Sequence, residues 1–314
     1  MNQSKKLTDG ALLLAIYIVL LLITIFVPIV TIFGMFLLPI PFILYAARHG
    51  LKPSFLMFVA SLLITALIAT IAFLPFTVLA GIGGIAIGAA IHKEVSAYET
   101  LARGTLGFII GLLFLFAFSQ VVFSVNLVNE LKVIITDSMD MSASIMEQFG
   151  ASGQTEQMEE LLLQQVNMLI ELLPVGLALT AIVLAFLSQW ISYKFINRLE
   201  KKQLRFPPFR NLRFPTSILW IYFFALFISF FDLNPAGIYY TAVHNLLALT
   251  GLLMALQGFS FIFLYTYHKK ITKAVPIFIV VITLLFPTFL LYFVRILGII
   301  DIGFRLRERL TSKK

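Results

Sequence analysis

Cysteine is absent from this chain of 314 residues, which removes disulfides, thiolate metal sites and cysteine nucleophiles. Charge is scarce. Asp, Glu, Lys and Arg make up 12% of the residues, against about a quarter in a soluble domain. The sequence contains no HExxH, no nucleophile elbow and no GxxxxGK phosphate loop. Its histidines, His49, His92, His244 and His268, are far apart and lack ligand spacing. No enzyme activity, metal or cofactor is therefore expected.

What the chain has in quantity is hydrocarbon. Hydrophobic residues reach 60%, with 32 Phe and a mean hydropathy of +1.00. Ala11–Ala47 and Pro53–Ile91 contain no charged residue, and each is long enough for two membrane spans. The net charge of +8 does not point to nucleic acid, because the basic residues sit in short loops between apolar runs, as the positive-inside bias requires. Lys5 and Lys6 precede a run too long for a signal-peptide core, so the first span reads as an anchor.

The densest basic stretch is Lys194–Arg213, with seven Lys or Arg against one acid, Glu200. It places loop 197–213 and the N-terminus in the cytoplasm. Before it the apolar pattern gives six spans: about Ala11 to Ile29, Ile32 to Ala47, Ser54 to Phe73, Phe76 to Ile91, Thr105 to Val125, and Leu172 to Ile196. Pro28 and Gly34 mark the first outer turn and Pro75 the second. Pro39 and Pro41 kink the second span. Glu99 and Arg103 belong to an inner loop. After the basic loop come three apolar stretches, Pro215–Phe231, Ile238–Tyr267 and Val275–Ile300. If all three cross, the basic tail ends outside, against the charge rule. An even count, with one stretch re-entrant or broken at Pro287, keeps both termini inside. The expected fold is an all-α polytopic helical bundle of eight or nine transmembrane helices in the cell membrane. Its parts are a six-span core over residues 1–200, a basic loop over 201–214, and further membrane helices over 215–314.

Between the fifth and sixth spans, 126–171 carries eight acids and one base, Lys132. Apolar residues recur at helical spacing on either side of Gly150–Gly153, which predicts an extracytoplasmic helical hairpin. Asn126, Asn129, Glu130 and Glu171 fall where this hairpin meets the membrane. They read either as the rim of an outward-facing ligand cavity or as solvated helix ends. His244 and Asn245 start a later span and are further candidates for ligand binding, with a hydrogen bond to a neighbouring helix as the plainer role for His244. Arg295 reads as a snorkelling side chain. Small residues at helical spacing, Gly84 with Gly88, Gly107 with Gly111, and Gly251 with Gly258, point to close helix packing.

The stretch PIPFILYAARHGLKPSF (Pro39–Phe55), followed by the glycine-rich GIGGIAIGAA (Gly81–Ala90), resembles the YybS-type family of bacterial predicted membrane proteins over most of the chain. That family is similar, in its first six spans, to the S-components of energy-coupling-factor vitamin transporters. The resemblance implies ligand capture near the outer face, with the acidic hairpin placed as a lid. It also implies docking on a membrane coupling subunit through a small-residue pair in the first helix, a spacing that Ala11 and Ala15 occupy. S-components end after six spans, whereas this chain continues for about a hundred residues. The expected partners are the lipid bilayer, a small-molecule substrate and a coupling subunit. The alternative is a non-transporting scaffold or envelope regulator whose hairpin binds an envelope protein.

Overall fold

The computed structural model describes residues 3–148, 166, 168–234 and 237–311. All regular structure among them is helical. The chain forms two compact units, Met1–Ile170 with Gly176–Phe206, and Glu171–Val175 with Pro207–Lys314.

The first unit contains α1 (Gln3–Phe26), α2 (Pro28–Leu37), α3 (Ile40–His49), α4 (Leu51–Ile68), α5 (Leu74–His92), α6 (Ala97–Phe123), α7 (Leu127–Gln148) and, from Gly176 onward, α8 (Leu173–Glu200). Proline explains where many of these begin. Pro28, Pro41, Pro53, Pro75 and Pro174 each lie in the first turn of a helix, where a missing N–H costs nothing. The kink expected in the second span is a full break at Leu38–Pro39, between α2 and α3. Two expected turns lie elsewhere. Pro28 opens α2 and Gly34 sits inside it, because a proline at the first helical position starts a helix. The second turn falls at Ala69–Thr70, Thr70 having φ 73°, and Pro75 is already helical. Glu99 and Arg103, expected in a loop, lie in α6. The Ser96 hydroxyl caps this helix by accepting from Glu99 N at 3.2 Å, and Glu99 pairs with Arg103 at 2.6 Å; the S-x-x-E capping pattern carries the helix past the apolar run.

The core of the first unit is built around Tyr17, Phe42, Ile43, Ile87, Phe108 and Ile196. Glycine sets its spacing. A Cβ on Gly84 would lie 2.7 Å from Pro39 O, and one on Gly107 would lie 2.9 Å from Ala86 Cβ. Gly88 is equally close to Ile43 O and Gly111 to Leu79 Cα. These contacts bring α3 and α6 against α5 at backbone distance, which replaces the hydrophobic drive that lipid cannot supply. Buried hydroxyls find partners inside. Tyr17 Oη donates to Thr77 Oγ1 at 2.7 Å, and Thr77 Oγ1 donates to Thr65 Oγ1 at 3.0 Å. The outside is apolar: Leu12, Ile16, Phe55, Leu63, Leu106 and Ile110 are all exposed. A surface of that kind belongs in a bilayer.

The second unit comprises α9 (Thr216–Ile228), α10 (Ile238–His268), α11 (Ala274–Leu285), α12 (Pro287–Gly303) and α13 (Leu306–Thr311). The last apolar stretch is broken at Phe286 (φ −125°, ψ 62°), with Pro287 starting α12. Gly298 rests directly on Met254 O and Gly258 on Val294 O, so α10 and α12 touch backbone to backbone. Gly251 instead abuts the Arg295 guanidinium, 2.9 Å from Cζ to its would-be Cβ. Arg295 therefore does not snorkel freely; its Nε is buried.

Among the described residues six helices are long and apolar enough to cross a membrane: α1, α4, α5 with its leading turn from Ile71, α6, α8 and α10. Thr216–Ile228 and Ala274–Leu285 are shorter apolar helices, and Phe33–His49 is a shorter apolar segment that contains the α2–α3 break. α7 corresponds to the first arm of the expected hairpin. The Gly150–Gly153 turn and most of the second arm lie outside the described residues.

Candidate functional site

Four helix ends of the first unit bring their polar residues together around a cavity of about 510 Å³. α1 supplies Lys5 and Asp9, α3 supplies Arg48 and His49, the end of α5 supplies His92 with Glu94 just after it, and α8 supplies Glu200 with Lys202 just beyond. Arg48 Nε donates to Glu200 Oε1 at 2.7 Å, and Lys202 Nζ lies 3.0 Å from Glu200 Oε2. Burial pushes the Glu200 carboxyl up, but the hydrogen bonds and charges of Arg48 and Lys202 outweigh it and hold it below the ordinary carboxylate value. Glu200 lies beyond the apolar part of α8, at its charged end.

His49 Nε2 is 3.1 Å from Asp9 Oδ2, and the His49 ring is almost fully buried beside Tyr45. Its Nδ1 is buried and has no protein partner. A carboxylate only accepts, so the bonded Nε2 carries a proton. His92 Nδ1 donates to Ala47 O at 3.1 Å. The ring of His92 fills the space over Gly50, whose φ of +78° few other residues would adopt. The charges nearly cancel, with Lys5, Arg48 and Lys202 facing Asp9, Glu94 and Glu200. Such a network ties helix ends together around the cavity. Among the described residues no His, Cys, Asp or Glu group is arranged to hold a metal.

The second unit holds its own polar centre. Gln257 Nε2 donates to Asp301 Oδ2 at 2.6 Å, and Arg307 Nε donates to the same oxygen at 2.7 Å. Gln257 Oε1 accepts from Phe214 N at 3.0 Å. Ser260 Oγ accepts from Arg307 Nη2 at 3.0 Å and shares its own proton between Phe209 O and Leu212 O. Side chains from α10 and α12, with Arg307 from α13, thus pin the loop before α9.

The residues expected to bind a ligand are distributed over both units. In the first, Asn126 caps α7 by accepting from Asn129 N at 3.2 Å, and Asn126, Asn129 and Glu130 are exposed. In the second, Asn245 is buried. Its Oδ1 accepts from Val175 N at 3.1 Å and its Nδ2 donates to Glu171 O at 2.7 Å. Asn245 therefore meets the backbone of Glu171, while the Glu171 side chain is exposed. The cavity beside it, about 410 Å³, is lined mainly by apolar residues. His244 turns its Nδ1 back to Tyr240 O at 3.0 Å. Ala11 and Ala15 are exposed on α1, in an open groove of about 650 Å³ that also contains Leu12, Ile16 and Val19.

Sequence reasoning missed Asp9 and Asp301. Each is an acid beside an apolar run, and that isolation was the available signal.

Residues 15–302 match the profile described as "Predicted membrane protein (DUF2232)". The chain is also 28% identical over 309 residues to the Bacillus subtilis (strain 168) protein titled "Uncharacterized protein YybS", covering 98% of this chain and 99% of that one. No solved structure matches. With nearly its whole length inside the profile, this chain belongs to the DUF2232 family of predicted membrane proteins.

Proposed function

We propose that the protein is a multi-pass component of the cell membrane that captures a small molecule and passes it inward together with a membrane coupling subunit, in the manner of an S-component. The observation that carries this reading is the first helix. Ala11 and Ala15 stand exposed on α1, lining a groove that no described residue of the first unit fills. Small exposed residues at this spacing let a second helix approach closely. The six spanning segments of the first unit, counting α2 and α3 as one broken segment, supply the frame. Native mass spectrometry of the protein in mild detergent tests the reading. A retained small molecule or a retained membrane subunit supports it. A bare monomer, joined to a deletion strain with unchanged uptake, removes it.

A second reading is favoured by a different observation. The first unit is solidly packed where a ligand chamber would lie: Phe108 is fully buried against Gly83, and the Tyr17 and Phe42 rings meet edge to face with centroids 4.8 Å apart. On this reading the protein is a scaffold or envelope regulator, with α7 holding an envelope protein. Site-specific crosslinking along α7 separates the two, because a scaffold yields a discrete protein adduct there and a transporter is labelled by substrate analogues.

A further inference from the structure

We propose that the second unit binds the phosphate of an anionic phospholipid headgroup in the pocket between the loop before α9 and the α10–α11 turn. The pocket holds about 620 Å³, and Arg210, His268, Lys270 and Lys273 line it with no carboxylate among them. Phe209, Phe263 and Ile277 give it an apolar side. One face thus suits a phosphate and the other an acyl chain, which is the division of an amphiphile at a membrane surface.

The pocket is held in shape from behind. The Arg210 carbonyl accepts from Arg307 Nη1 at 3.0 Å, and the flanking Phe209 and Leu212 carbonyls both lie within reach of the Ser260 hydroxyl, at 2.8 and 3.0 Å. The Arg210 guanidinium lies over the Tyr267 ring, 3.8 Å from its centroid. That stacking uses the face of the guanidinium and leaves its N–H edges for an oxygen ligand. Three of the last four carbonyls of α10, which would repel an anion, accept backbone hydrogen bonds. Lys269 N, Lys270 N and Ile271 N donate to Tyr265 O, Tyr267 O and Thr266 O at 3.0, 3.1 and 2.9 Å. The positive end of the α11 dipole opens at Lys273 on the same rim.

A free phosphate ester offers the same chemistry, so the test separates the sources. The full-length protein is incubated with equimolar phosphatidylglycerol and phosphatidylcholine in mixed micelles, and retained lipid is counted by native mass spectrometry. The wild type is expected to retain phosphatidylglycerol over phosphatidylcholine. The double variant Lys270→Gln/Lys273→Gln, at exposed positions that leave packing intact, should lower that retention at least about fivefold, since each basic residue near an anionic surface contributes on the order of 1 kcal/mol. Arg210→Gln should lower it as well, and Lys52→Gln, in the first unit, should not. Equal retention of the two lipids, or equal retention by all variants, overturns the proposal. Displacement of the lipid by millimolar glycerol phosphate would assign the pocket to a soluble phosphate ester and overturn the lipid assignment.

Discussion

Gln257 and Arg307 converge on one oxygen of Asp301, at 2.6 and 2.7 Å, in the interior of the second unit. Asp301 is 3% exposed and Gln257 is fully buried. A carboxylate in such a place is stable only while its donors remain. Asp301→Ala takes the counter-charge from the largely buried Arg307 guanidinium, leaving it the bonds to Ser260 and Arg210 O, and should cost about 3 kcal/mol. Asp301→Asn keeps an acceptor and should cost less. Thermal unfolding in detergent reads the order. If the Ala variant melts with the wild type, the network contributes nothing to stability.

Glycine contacts give a sharper contrast. Gly298 lies on the Met254 carbonyl, whereas Gly176 in α8 has nothing within 4 Å of its would-be Cβ. Gly298→Leu drives a side chain into backbone, a larger fault than ordinary overpacking at about 1–3 kcal/mol. It should yield aggregated or unfolded protein. Gly176→Leu should fall within about 0.5 kcal/mol of the wild type, read as a monodisperse peak and an unchanged melt. The same result for both would mean that α10 and α12 do not meet where they are placed.

The helices were legible in the sequence because membrane spans are continuous apolar runs, and proline sets where several begin. The Gly84–Gly88 and Gly107–Gly111 pairs were legible for the same reason: small residues four apart have few other uses in lipid. Gly298 was not, since no small residue stands three or four positions from it on its own helix and it rests on the Met254 carbonyl and Gly258 N–H of another. The polar cavity of the first unit was less legible still. Arg48 and Glu200 are 152 residues apart and Asp9 and His49 are 40 apart. Their pairing depends on which helix ends meet, and periodicity along one helix carries no such information. The Asn245 bond to Val175 N is hidden likewise, because it joins a side chain to a backbone group that any residue would supply.

Acid should loosen the first unit through Glu200. The folded carboxyl titrates below its ordinary value of 4.5. Its stabilising contribution is therefore present above the unfolded value and lost as pH falls through the folded one. The melting difference between wild type and Glu200→Gln should be largest near neutrality and shrink as pH drops below the ordinary carboxylate range. A difference that grows on acidification would contradict the ion pairs with Arg48 and Lys202.

The groove on α1 allows stability and partner binding to be separated. Ala11 and Ala15 are exposed, so enlarging them disturbs no contact within the first unit and Ala11→Leu/Ala15→Leu should melt within about 0.5 kcal/mol of the wild type. A helix docked there must approach within the reach of a methyl group, and two leucines would hold it off. The variant should therefore copurify with less of any membrane subunit that accompanies the wild type, while Leu12→Ala, which lowers the same surface, should copurify with as much or more. Undiminished copurification by the leucine variant would place the partner elsewhere on the protein. A lowered melting temperature would show instead that this face of α1 is packed within the chain, and the docking reading would fall with it.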